Sequence, residues 1–241
     1  MTASSATLFV EVWRGRADGR FESFRVPQRA NQTVLDVVTE IQREQDATLA
    51  YRFACRVGMC GSCAMVVNGR PQWTCRTRVA QVAPAGTLRI EPLRHLTVIK
   101  DLAVDMTRFF DKWRDAKGSF VPAGETDRDF AVVPPASRQR QAADAGIECI
   151  GCGVCYSACE VVGWEPDYLG PAALNRAWTL VNDVRDQARA ARLDAVAGTS
   201  GCQACHTHMS CTTFCPKALA PTYAIAGLKR AMMKRALGRA G

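Results

Sequence analysis

The sequence predicts an α+β fold, a small strand-rich domain followed by a helical one. Three observations carry that reading. Alternating apolar and polar residues mark short strands in the first part of the chain. After about residue 98 the apolar spacing turns helical. The twelve cysteines fall into three groups, one in the first part and two in the second.

Residues 7–13 (Thr-Leu-Phe-Val-Glu-Val-Trp) alternate like a strand. After the Asp18-Gly19 turn, residues 20–26 read as a second strand. Thr33 is placed to cap a helix carrying Val34, Leu35, Val37, Val38 and Ile41. Cys55 to Cys63 is Gly-rich and loop-like, and Ala64 to Cys75 reads as a hairpin turning at Asn68-Gly69. Residues 87–92 give a closing strand. Val104 to Trp113 then has helical apolar spacing, and residues 117–140, with Gly118, Pro122, Gly124, Pro134 and Pro135, read as a loop or linker. From Cys149 the chain reads as helical. Leu174, Ala177, Trp178, Val181 and Val184 form one stripe, and Tyr223, Ala226, Leu228, Met232 and Met233 a looser one. Both read as core packing. The domains expected are 1–105 and 106–241.

Of the 241 residues, 48% are hydrophobic and 22% charged, as in ordinary globular proteins. No run reaches the roughly 18 apolar residues of a membrane span. Met1-Thr2-Ala3-Ser4-Ser5 shows no basic-then-apolar export signal. A reducing compartment is therefore expected, where thiols bind metal rather than form disulfides. The formal charge of +8 admits nucleic acid, an anionic membrane surface or an acidic protein as partner. Lys229, Arg230, Lys234, Arg235 and Arg239 concentrate it near the C-terminus. No nucleic-acid recognition motif accompanies the charge. The plain alternative is a solvated basic surface.

The cysteines carry the chemistry. Cys55, Cys60, Cys63 and Cys75 are spaced C-x4-C-x2-C-x11-C, the start of a plant-type [2Fe–2S] ferredoxin loop. Its glycines let backbone N–H groups turn toward sulfur. Tetrahedral zinc is the alternative for four cysteines, although the four-residue gap is unusual for it. Cys149, Cys152, Cys155 and Cys159 form the bacterial ferredoxin run C-x2-C-x2-C-x3-C. A second run, Cys205, Cys211 and Cys215-Pro216, has His208 at its middle position. In two-cluster ferredoxins the fourth cysteine of each run ligates the other cluster. Crossing them assigns Cys149, Cys152, Cys155 and Cys215 to [4Fe–4S], and Cys159, Cys205 and Cys211 to [3Fe–4S]. The rival assignment makes His208 a fourth ligand and completes a second [4Fe–4S]. Cys202 has no place in the scheme and reads as a free thiol. A chain holding several clusters is most simply a wire for single electrons.

These residues resemble the iron–sulfur subunit of succinate dehydrogenase and fumarate reductase, the respiratory complex II family. The resemblance rests on Cys55 through Gly69, on Pro92-Leu93 and Val98 through Met106, on Gly170 through Leu174, and on Cys215 through Leu219. It implies an N-terminal plant-type [2Fe–2S] ferredoxin domain, β-grasp-like, and a C-terminal helical, bacterial-ferredoxin-like domain. It also implies electron transfer between FAD on a partner flavoprotein and a membrane quinone, with the dicarboxylate chemistry on the partner. Membrane anchor subunits, with haem b, and a site on the cytoplasmic face of a bacterial inner membrane follow from the same resemblance. Trp164 and His206 match family positions at the quinone site. Glu160 and His208 depart from the family's usual proline and apolar residue. The same wire serving a different flavoprotein, or a soluble fumarate reductase, is the alternative. A cluster-bearing regulator that binds nucleic acid is a third reading.

Overall fold

The computed structural model describes residues 6–122 and 132–238. Met1–Ser5, Gly124 of the expected linker and Arg239 of the basic cluster lie outside the described residues. The chain divides into two compact units: Met1–Met106 with Ile150–Ala158, and Thr107–Cys149 with Cys159–Gly241.

In the first unit, β1 (Thr7–Arg14) pairs antiparallel with β2 (Arg20–Pro27). The helix α1 (Val34–Glu40) starts at a capping box, with Thr33 and Asp36 satisfying each other's backbone N–H. Next come β3 (Ala64–Val67) and β4 (Arg70–Trp73), the short α2 (Val79–Val82) and β5 (Thr87–Glu91). The sheet order is β2-β1-β5-β3-β4. The residue 87–91 strand therefore lies centrally, parallel to β1 and antiparallel to β3. Alternation in β1 buries Leu8, Val10 and Val12 and leaves Phe9 outside. Those residues meet Leu88 and Ile90 of β5, the Val34, Val37 and Val38 face of α1, and Ile41 just past its end. Asn68 and Gly69 both take positive φ between β3 and β4, the geometry a two-residue hairpin requires.

A small ribbon of β6 (Val98–Lys100) and β7 (Ala103–Val104) follows. Val104 was expected in a helix; it is in a strand, and the helix α3 begins later, at Thr107–Asp115. Asp101, almost fully buried, accepts hydrogen bonds from Arg14 and from the N–H groups of Gly15 and Ala50. It ties this ribbon to the end of β1. The short α5 (Val154–Ser157) belongs to the same unit, where the Ser157 hydroxyl accepts the Arg94 N–H at 2.8 Å.

The second unit contains α3, α4 (Arg138–Ile147), α6 (Glu160–Trp164), α7 (Gly170–Val181), α8 (Arg189–Ala195), α9 (Ser210–Thr213) and α10 (Pro221–Ala236). The central helix is α7, buried along nearly its whole length and packed by α3, α4 and α10. Gly227 brings α10 close: a Cβ there would stand 2.5 Å from the Trp178 ring. The expected stripes need correction. Leu174, Ala177, Trp178 and Val181 are buried, but Val184 lies past the end of α7 and is exposed. On α10 the buried face is Ala224, Ile225, Gly227 and Leu228, whereas Tyr223 and Met233 point to solvent. Half of that face is the small residues Ala224 and Gly227, which a search for large apolar side chains passes over.

Candidate iron–sulfur centres

The first centre is a loop turned around one sulfur. Arg56, Gly58 and Gly61 all have positive φ. That curl aims the N–H groups of Val57, Met59 and Cys60 at Cys55 Sγ, at 3.5, 3.2 and 3.3 Å. The Cys55 N–H points back at Cys60 Sγ at 3.5 Å. Cys63 and Cys75 flank the β3–β4 hairpin, and Thr74 fastens them by donating its N–H and hydroxyl to the Cys63 carbonyl. Cys60 is held down to about 6, chiefly by the Ser62 hydroxyl and then by the Cys55 N–H. Burial pushes Cys75 up to about 12, and the neighbouring Cys63 and Cys55 push it the same way. Thus the four cysteines named from spacing stand together. Converging N–H donors around thiolates are what an anionic cluster needs, so the residues fit the group.

Gly61 does more than turn the loop. A Cβ on it would lie 2.5 Å from the Cys152 Cβ and 2.9 Å from its Cα. The first cysteine loop therefore rests directly on the second cysteine run, within one unit. Gly153, with φ of 78°, packs in the same way against Met106 and Leu93. Cys152 and Cys155 stand at the entry to and within α5.

In the second unit, Cys149 closes the end of α4 by donating to the Gly146 carbonyl, which also accepts from the Asn175 side chain. Cys159 caps α6. Its thiol is pushed up by burial, with Cys211 and Cys205 adding to the effect. Cys211 is likewise pushed up by burial, and its sulfur lies 3.3 Å from the Thr222 hydroxyl. Cys159, Cys205 and Cys211 thus share one neighbourhood. The buried Tyr168 phenol adjoins it, its acidity suppressed first by burial and then by these thiols. Among the described residues, no three of His, Cys, Asp and Glu converge as they would on a single metal ion.

Cys202 is completely buried, and burial raises its thiol to about 12. It is a core residue. His208 is exposed and stands edge-on to the Trp164 ring, with centroids 6.0 Å apart, and 6.2 Å from the His206 ring. The structure thus gathers Trp164, His208 and His206 into one aromatic group. Glu160 is exposed in the first turn of α6. Sequence reasoning missed three contacts that position this region. Arg108 and the buried Lys112 both donate to the Pro166 carbonyl, two residues beyond Trp164. Lys229 donates to the Cys205 carbonyl at 2.9 Å. A basic residue in a helical pattern gives no sign of such a partner.

Residues 9–111 match a family model described as a 2Fe-2S iron-sulfur cluster binding domain, and residues 146–219 one described as a 4Fe-4S dicluster domain. The fumarate reductase iron-sulfur subunit of Mycobacterium tuberculosis is 37% identical over 217 residues, covering 90% of this chain and 87% of that one. The chain belongs to the iron–sulfur subunits of succinate dehydrogenase and fumarate reductase. The succinate dehydrogenase iron-sulfur subunit of Paracoccus denitrificans is 37% identical over 204 residues, 84% of this chain and 77% of that one. A solved structure described as the Mycobacterium smegmatis Sdh1 complex in the apo form superposes with a TM-score of 0.86 at 26% identity, covering 96% of this chain and 98% of its counterpart. As an iron–sulfur subunit of this family, the chain is the electron-transferring part of an oxidoreductase complex and carries [2Fe–2S], [4Fe–4S] and [3Fe–4S] clusters. The relatives do not favour a wire for a different flavoprotein.

Proposed function

We propose that this subunit passes single electrons between the FAD of a partner flavoprotein and a membrane quinone, within a succinate:quinone oxidoreductase. The clusters supply one-electron chemistry when bound; the protein supplies thiolates, donors and packing. The ligands we assign are Cys55, Cys60, Cys63 and Cys75 for [2Fe–2S], Cys149, Cys152, Cys155 and Cys215 for [4Fe–4S], and Cys159, Cys205 and Cys211 for [3Fe–4S]. Functionally, residues 1–105 serve the first cluster and 106–241 the other two.

The observation that carries the reading is the contact of Gly61 with Cys152. A wire needs its centres close, and here one ligand loop lies on the next ligand run with no side chain between them. The nearness of Cys205 to Cys159 and Cys211, whose thiols it helps burial push up, supports the third centre. Trp164 and His206 are assigned to the quinone, with His208 bridging their rings.

No helix among the described residues is long and apolar enough to cross a membrane. Attachment is assigned to membrane anchor subunits, one of them carrying haem b, on the cytoplasmic face of a bacterial inner membrane. Purifying the native complex and identifying its chains tests the reading. The expected outcome is co-purification with a FAD-bearing chain and anchors, with succinate-dependent quinone reduction. Co-purification with a flavoprotein that turns over neither succinate nor fumarate overturns it.

A further inference from the structure

A groove of about 710 Å³ lies among the end of α7, α8 and the C-terminal half of α10. Trp178 and Leu193 give it an apolar floor, and Arg189, Arg230, Lys234 and Arg235 line it. None of the described lining residues is acidic. Two of the cations are held in place by the fold. Arg189 donates to the Val181 carbonyl at 2.6 Å; Arg235 donates to the Ala190 carbonyl and to Asp194 at 2.9 and 3.0 Å. Arg230 lies 5.8 Å over the exposed Tyr223 ring, and Lys234 is exposed. Four cations with one exposed carboxylate beside them leave a positive potential in a concave, partly apolar setting. Such a setting collects an anion.

The outer face of α10 narrows the choice of anion. Tyr223, Arg230, Lys234 and Leu237 recur at intervals of seven, four and three residues, which places them along one face. Met233 and Leu237 are each 63% exposed beside these cations. A free phosphate has no use for exposed Met and Leu. Clustered basic side chains attract an anionic lipid surface, and exposed Met and Leu beside them find apolar chains there to cover them.

We propose that this groove holds the phosphodiester headgroup of an anionic phospholipid, with Met233 and Leu237 reaching toward the acyl region. The inference does not depend on the electron path, and its failure leaves that reading intact.

Flotation of the full-length, cluster-loaded chain with vesicles tests it, comparing phosphatidylcholine alone with phosphatidylcholine plus phosphatidylglycerol. Binding is expected only with the anionic lipid. Arg230→Ala/Lys234→Ala should weaken it about 25-fold, at about fivefold per cation removed near an anionic surface. Arg20→Ala/Arg114→Ala removes the same charge from side chains that are 83% and 77% exposed elsewhere, and should leave binding nearly unchanged. Met233→Ser/Leu237→Ser should weaken binding with the charge intact. Should the double alanine variant lose its clusters, Lys234→Glu alone, on an exposed side chain, makes the same comparison. Equal losses from both arginine-containing pairs, binding indifferent to phosphatidylglycerol, or full release by inorganic phosphate would each overturn the proposal.

Discussion

Gly61 holds a φ of 71° and has no room for a Cβ beside Cys152. Gly61→Ala therefore meets two penalties, about 1–2 kcal/mol for left-handed backbone and the displacement of Cys152. The variant should retain less cluster iron and melt earlier than wild type, as read by iron content and thermal unfolding. Gly61 is visible in the sequence as one more loop glycine. What it touches is not, because the partner lies far along the chain. His208 is the opposite case, since its departure from the cysteine pattern was plain and its contact with Trp164 was not. An edge-to-face aromatic pair contributes about 0.5–1.5 kcal/mol. If that contact holds Trp164 for the quinone, His208→Val should raise the quinone KM about two- to tenfold and leave the cluster spectra unchanged. An unchanged KM removes the role.

Among the elements, α1 and α8 show what sequence patterns do and do not reveal. Thr33, the apolar face and the strand alternation all lie within short windows, so the first sheet and its helix were readable. Thr33→Ala should cost about 1 kcal/mol of stability by denaturant titration, the usual loss for an N-cap. Arg192 of α8 was unreadable, since a fully buried arginine in a polar-looking segment contradicts ordinary expectation. It forms an ion pair with Asp186, both side chains at 0% exposure, and donates to the carbonyls of Lys117 and Ser119. It fixes the segment after α3 onto α8. Arg192→Ala leaves a buried carboxylate unpaired and should cost about 3–5 kcal/mol. Burial pushes Asp186 up, but Arg192 and the N–H groups of Val121 and Ala188 outweigh it and hold the carboxyl below its ordinary range. The unfolded chain then binds the proton more readily than the folded one. The resulting stability is present above about pH 4 and is lost as pH falls through the folded value. Asp186→Asn should flatten that acid limb in a plot of Tm against pH.

At the scale of the molecule, the cysteine spacings gave the chemistry because cluster ligation is a short-range constraint written into a few residues. The partition of the chain was less legible. Residues 150–158 fold with the first unit although they lie within the second half of the sequence. No local pattern signals that, since it arises from packing of Gly61 on Cys152, of Gly153 on Leu93 and Met106, and from the Arg94–Ser157 bond. The central claim is a wire of three unlike centres held by eleven cysteines, with the third centre ligated by three thiolates. Electron paramagnetic resonance of the oxidised native complex tests it most directly. A [3Fe–4S] signal near g of about 2 is expected, with about nine irons per chain. An oxidised sample silent in that region, with the reduced sample showing two [4Fe–4S] centres, would contradict it.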